Sequence, residues 1–123
     1  MSKKTVIVDY GVGNIKSISN AVIKCGSDVI LSNDYNTISH ASQIILPGVG
    51  AFGESMKKLK QLKLDEAIQE ANLNNVKLLG ICLGMQFFFE KSYEFGEHNG
   101  LGLIHGEVCR LTSNSEKNKI LPN

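Results

Sequence analysis

With 123 residues, 42% of them hydrophobic and 20% charged, the chain has the balance of an ordinary soluble globular protein and room for one domain. A formal net charge of +1, with lysines scattered among acidic residues, leaves no basic field for a nucleic acid or an anionic membrane surface. No signal-peptide apolar block and no apolar run of membrane-spanning length occurs, so a cytoplasmic location is expected.

Three cysteines, Cys25, Cys82 and Cys109, form no C-x-x-C pair and have no histidine at ligand spacing. That argues against a disulfide framework and a zinc site, and the thiols are expected to be reduced. No metal or organic cofactor is expected.

In chain order, Thr5-Val6-Ile7-Val8-Asp9 is a β-branched run ending in the glycine turn Tyr10-Gly11-Val12-Gly13-Asn14. Ile15, Ile18, Val22 and Cys25 repeat at helical spacing, predicting a buried helix face with Asn14 as N-cap and Gly26 as the left-handed terminator. Asp28-Val29-Ile30-Leu31 is a second strand. A β-α-β opening with near-continuous apolar strands predicts a three-layer α/β fold, a mainly parallel sheet with helices on both faces.

The Gly11-Val12-Gly13 turn invites comparison with the dinucleotide fingerprint G-x-G-x-x-G. Lys16 stands where the third glycine belongs, and Ser32-Asn33-Asp34 offers no convincing acidic residue for a ribose. The glycines are explained by a tight turn; Tyr10 and Asn14 are not, and they are candidates to face a ligand or partner.

Gln43-Ile44-Ile45-Leu46 is the third strand and runs into Pro47-Gly48-Val49-Gly50-Ala51-Phe52-Gly53, a glycine loop able to present bare N–H groups. Glu54 to Asn72 carries Met56, Leu59, Leu62, Leu64, Ala67, Ile68 and Ala71 among charges, predicting one broken helix or two over the sheet.

Lys77 to Gln86 is the stretch with the clearest chemistry. An apolar run meets a cysteine with glycines two residues before and two after it, Gly80-Ile81-Cys82-Leu83-Gly84, and a second apolar run follows. Such a G-x-C-x-G pattern predicts a strand turning sharply into a helix, with glycines where the two backbones approach and Cys82 exposed at the corner. The first-turn N–H groups of the helix would favour thiolate there, and thus a nucleophile. The alternative is a small hydrophobic cysteine in a core strand. If sheet order sets the Pro47–Gly53 loop beside this elbow, its amides and that of Leu83 converge where an oxyanion would form.

Leu83 to Phe89 is expected to be helical with Phe87, Phe88 and Phe89 inward, Ser92 to Gly100 a loop, and Leu101 to Leu111 extended, with Glu107–Leu111 alternating like a half-buried strand. Thr112 to Lys119 reads as a turn and Ile120-Leu121 as the start of another strand.

Four motifs taken together, Asp9–Asn14, Leu46–Phe52, Gly80–Gln86 and Gly100–Ile104, resemble the class I glutamine amidotransferases, and within them the glutaminase subunits of imidazole glycerol phosphate synthase. The resemblance runs the whole chain. It implies that Cys82 attacks the carboxamide of L-glutamine, that the backbone of Leu83, Val49 and Gly50 holds the oxyanion, and that Gln86 and Glu94 recognise the α-amino and α-carboxylate end. It also implies a heterodimer with a barrel-shaped synthase subunit, docked through Tyr10, Gly13 and Asn14, which uses the ammonia in histidine biosynthesis. Similar chains serve sugar-amidating enzymes of surface-polysaccharide pathways.

The family's catalytic histidine and glutamate, an H-x-E pair far beyond the elbow, have no counterpart in the sequence. His40 and His98 are not followed by an acid two residues on, and His105 with Glu107 falls on the wrong element, so that match is read as chance. Residues 1–123 are therefore read as the N-terminal part of a glutamine amidotransferase domain. Two rivals stand beside the enzyme: a non-catalytic docking subunit, and another elbow cysteine enzyme such as a peptidase or redox sensor.

Overall fold

The structure, a computed structural model, describes residues 4–111. Its centre is strand β1 (Lys4–Val8), flanked in parallel by β2 (Asp28–Ser32) and β3 (Gln43–Leu46), with β4 (Lys77–Gly80) beyond β3, giving the order β2-β1-β3-β4. The register aligns Val6 with Ile30 and Ile44, and Ile44 with Leu78. Alternation then separates the sheet into two faces. Val6, Val8, Ile44 and Leu46 point into the main core, where they meet Ile38 of α2 (Tyr35–Ser39), Leu59 of α3 (Phe52–Gln61), and Ala67 and Ile68 of α4 (Leu64–Leu73). The opposite face, with Thr5, Ile45 and Leu79, carries α1 (Ile15–Lys24). Helices on both faces of a parallel sheet are the expected α/β arrangement.

Helix α1 is bounded as its residues dictate. The Asn14 side chain accepts from the Ser17 N–H at 3.4 Å. At the other end Gly26 takes φ +94°, and the Ser27 and Gly26 amides donate back to Val22 and Ile23, a Schellman closure. The buried face expected from Ile15, Ile18, Val22 and Cys25 does not materialise: no α1 residue is buried, and Cys25 is exposed. The helix stands over β1 and β2, leaving an apolar groove of about 610 Å³ between Ile18, Val22 and Cys25 and the Ile45 and Leu79 side of the sheet.

Helix α2 lies in a stretch whose residues show no helical periodicity. Asp34 caps it by accepting from the Thr37 N–H at 2.9 Å, and the Tyr35 hydroxyl donates to Glu70 at 2.6 Å, tying α2 to α4. Of the two readings of Glu54 to Asn72, two helices is the outcome, separated at Lys63 with φ 58°.

Past the elbow, α5 (Leu83–Gln86) is one turn, shorter than the expected Leu83 to Phe89. The amides that would extend it tighten to bonds three residues back, Phe88 N–H to Met85 O and Phe89 N–H to Gln86 O, both at 3.2 Å, and the Phe87 and Phe88 carbonyls accept instead from the Leu101, Leu103 and Ile104 amides. Phe87 and Phe88 are buried as expected, and Phe89 is half-buried.

The segment read as a loop holds β5 (Lys91–Ser92) and β6 (His98–Asn99), antiparallel through a turn at Phe95 and Gly96, both with positive φ. Of the extended stretch Leu101 to Leu111 only β7 (Glu107–Val108) is a strand, parallel to β5. Two-residue strands are too short for alternation to reveal. The turn and strand expected at Thr112 to Leu121 lie outside the described residues. Among the described residues no helix is long and apolar enough to cross a membrane.

Candidate active site around Cys82

Ile81 prolongs the β3–β4 pairing by donating its N–H to Leu46 O at 3.0 Å, and the chain then reverses at Cys82, φ 53° and ψ −121°. A side chain at positive φ costs on the order of 1–3 kcal/mol, a strain that concentrates at functional corners. Its neighbours have to be glycines. A Cβ on Gly80 would lie 2.5 Å from Met85 Cα, and one on Gly84 would run into the Leu46 carbonyl oxygen. The thiol is left exposed at the tip.

Because β3 is the neighbour of β4, the loop after β3 comes down beside the elbow. A Cβ on Gly48 would lie 2.8 Å from the Gly84 nitrogen, so only glycine fits there. Gly50 takes φ +90°. An open cavity of about 330 Å³ results, lined by Gly48, Val49, Gly50, Cys82, Leu83, Met85, Gln86 and Glu94. All the residues expected at the nucleophile, oxyanion and substrate positions thus line one space. Gly48 and Met85 were not singled out. Met85, three residues past the cysteine, shares its side of a one-turn helix, and that spacing could have found it.

Two groups in the cavity are less free than expected. The Leu83 N–H, expected to face an oxyanion, donates to the Gly48 carbonyl at 3.2 Å and is occupied from within the chain. Glu94 accepts from the Phe52 N–H at 2.9 Å. That amide opens α3, where a carboxylate is also favoured by the helix dipole. One oxygen of Glu94 thereby anchors the end of the glycine loop. The fully buried Ser92 hydroxyl accepts from the Glu94 N–H at 3.2 Å and fixes its backbone.

Tyr10, expected on a partner surface with Gly13 and Asn14, faces inward. It is 4% exposed, and its hydroxyl donates to Pro47 O at 2.7 Å. Burial pushes its phenol well above the usual range. A tyrosine ring is largely apolar, and the Pro47 carbonyl gives the hydroxyl the partner that burial demands. Gly13, φ +109°, packs on the same proline: a Cβ there would lie 3.0 Å from Pro47 Cβ. Asn14 is exposed and engaged as the α1 cap.

Among the described residues no histidine lines the Cys82 cavity. His40 Nδ1 lies 3.0 Å from the Asn36 carbonyl. The His98 ring occupies the space beside Gly53, its Nε2 at 3.2 Å from Phe95 O. His105 is fully exposed, 3.7 Å from Glu90, while Glu107 accepts from the Tyr93 hydroxyl at 2.9 Å, so the His105-x-Glu107 match is no dyad. Glu90 itself is held below the usual carboxylate range, chiefly by the Gly106 N–H and less by His105. Among the described residues no three His, Cys, Asp or Glu side chains gather as metal ligands.

The arrangement can perform acyl transfer at a thiol: a strained exposed cysteine, backbone amides beside it, and a polar wall of Gln86 and Glu94. Residues 6–120 match the family model described as glutamine amidotransferase class-I. A relative from Aquifex aeolicus, "Imidazole glycerol phosphate synthase subunit HisH", is 50% identical over 109 residues, 88% of this chain and 53% of the relative. The protein of that name from Lactococcus lactis is 46% identical over 114 residues, 93% of this chain and 56% of its own, and that from Bacillus subtilis 43% over 111 residues, 90% and 52%. The chain spans about half the length of the curated relatives it matches. By the family model's match across residues 6–120, this chain belongs to the class I glutamine amidotransferases.

Proposed function

We propose that this chain is the nucleophile-bearing, N-terminal part of a glutaminase subunit that supplies ammonia to imidazole glycerol phosphate synthase in histidine biosynthesis. The observation that carries this reading is the single cavity shared by Cys82, Leu83, Val49, Gly50, Gln86 and Glu94. Cys82 Sγ attacks the carboxamide carbon of L-glutamine, and the carbonyl oxygen takes the negative charge beside the Leu83, Val49 and Gly50 amides. Ammonia leaves with a proton supplied to its nitrogen, and water then cleaves the thioester to glutamate. The proton donor would be the histidine of the H-x-E pair that the resemblance implies, in the part of the relatives' length beyond the match. Gln86 and Glu94 hold the amino-acid end, Glu94 with the oxygen not given to Phe52.

The relatives' names make them synthase subunits, which supports association with a second synthase subunit; a heterodimer with a barrel-shaped partner, lyase chemistry in the whole complex and a cytoplasmic setting belong to the same proposal. The docking turn is Gly11 to Asn14, with Gly13 and Asn14 at its surface and Tyr10 supporting it from beneath. A chloroketone analogue of glutamine tests the site, since its displacement needs no ammonia to leave. Mass spectrometry should find Cys82 labelled ahead of Cys25 and Cys109 although all three are exposed. Equal labelling would count against the site.

A second reading, a docking chain that does not turn over glutamine, is favoured by the engaged Leu83 amide and by a cavity with no histidine among its described lining residues. Ammonia release measured with and without the synthase subunit separates the two. Release abolished by Cys82→Ser supports catalysis, and none under either condition supports docking alone.

A further inference from the structure

We propose that the Tyr10 hydroxyl is a positioning group that holds the Gly48 carbonyl on the Leu83 N–H, and so sets how often that amide is free to receive an oxyanion. The inference rests on the reading of Leu83 as an oxyanion donor.

The contacts form a short chain from the core to the nucleophile. Tyr10 is rooted in the main core at 4% exposure and donates its hydroxyl to Pro47 O at 2.7 Å. That bond fixes the Pro47–Gly48 peptide. The next peptide, Gly48–Val49, carries the carbonyl that accepts from the Leu83 N–H at 3.2 Å. Only the bonds around the Gly48 and Val49 α-carbons remain for freeing that amide, because the preceding peptide is clamped. Space tells the same story: a Cβ on Gly48 would stand 3.0 Å from the Tyr10 hydroxyl and 2.8 Å from the Gly84 nitrogen, so the glycine is held between tyrosine and elbow. Gly13 packs close to the same proline, since a Cβ there would fall 3.0 Å from Pro47 Cβ. A phenylalanine would fill the same core volume and lack only the donor.

Amide hydrogen exchange on the full chain tests this. In Tyr10→Phe the Leu83 amide should exchange about two- to tenfold faster, the worth of one neutral hydrogen bond. The Met85 and Phe87 amides, bonded to Cys82 O and Leu83 O, should keep their wild-type rates. An unchanged Leu83 rate overturns the proposal. Should all three amides speed up together, the variant has loosened the fold, and 3-fluorotyrosine at position 10 decides: it keeps the ring and donates more strongly, so Leu83 must exchange more slowly than in the natural chain. Unchanged or faster exchange there overturns the proposal.

A second readout keeps this separate from the functional reading. Acetylation of Cys82 by p-nitrophenyl acetate forms a thioester and releases p-nitrophenolate through a tetrahedral oxyanion. Alkylation by iodoacetamide displaces iodide with no oxyanion. The ratio of the two rates at Cys82 should rise in Tyr10→Phe by a factor similar to that in exchange, whereas a general structural role moves both rates together. Faster Leu83 exchange with an unchanged ratio would uphold the clamp and remove Leu83 from the oxyanion site.

Discussion

The two faces of the central sheet are built from similar apolar strands and packed to different depths. On one, Val6, Val8 and Leu46 meet Phe52, Leu59, Leu64 and Ile68, all 2% exposed or less. On the other, Ile7 is fully buried under α1, but Leu79, two strands away, is 55% exposed beside a groove of about 610 Å³. A parallel sheet is normally covered on both sides. What the difference teaches is where the site gets its rigidity. Leu83 and Phe87 flank the elbow and Phe52 follows the glycine loop, and all three belong to the sealed side, with the Phe52 and Phe87 rings 5.1 Å apart and edge to face. The nucleophile corner therefore leans on the sealed side, although Ile81, next to Cys82, also lines the open groove.

The comparison can be broken first at its strongest point. Phe52→Ala removes a fully buried ring from the sealed side and should cost about 3–5 kcal/mol, a large part of a small domain's stability. A urea midpoint little changed would mean that this face is looser than described. Next, Gly84→Ala forces a methyl toward the Leu46 carbonyl and should cost about 1–3 kcal/mol, with Cys82 labelling by the chloroketone falling toward the level of Cys25. Stability lost with labelling intact would separate the elbow's packing from its reactivity.

Leu79→Ser, on the open face, should change stability by less than about 0.5 kcal/mol if the groove is bare in solution. A cost several times larger would show that Leu79 is covered there, and the asymmetry would disappear.

The smallest effect concerns acid. The Thr37 N–H, and then the Thr37 hydroxyl, hold the Asp34 carboxylate below its ordinary range. Its contribution is present above the unfolded-state pKa of about 3.9 and is lost as pH falls through the lower folded value. Denaturation midpoints of Asp34→Asn and the natural chain, compared at neutral pH and below pH 4, should differ more at neutral pH. An equal difference at both would show that the charged cap contributes nothing.

Much of this was legible in the residues. Short apolar runs, β-branched in the first three, marked the four main strands, and Asn14 and Gly26 marked the ends of α1, because both signals act over a few neighbouring residues. The elbow was legible for the same reason: Gly80, Cys82 and Gly84 encode a close crossing of their own backbone. Helix α2 was encoded in Asp34 and Thr37 but is too short to show a periodic face. The hairpin of β5 and β6 depends on backbone pairing that leaves no alternation in two-residue strands.

The sequence by itself determined a parallel α/β sheet and a cysteine at a glycine-flanked corner, because propensity, capping and glycine geometry are local. Only the tertiary structure decided which groups meet at that corner. Pairing of β3 with β4 brought Gly48 to Leu83 and occupied its amide, and docking of the β5–β6 hairpin gave a Glu94 oxygen to the Phe52 N–H. Tyr10 shows the reason most plainly. Its place beside a glycine turn suggested a surface, whereas burial follows from what folds over a side chain, and Pro47, far along the chain, supplies the carbonyl that makes the buried hydroxyl tolerable.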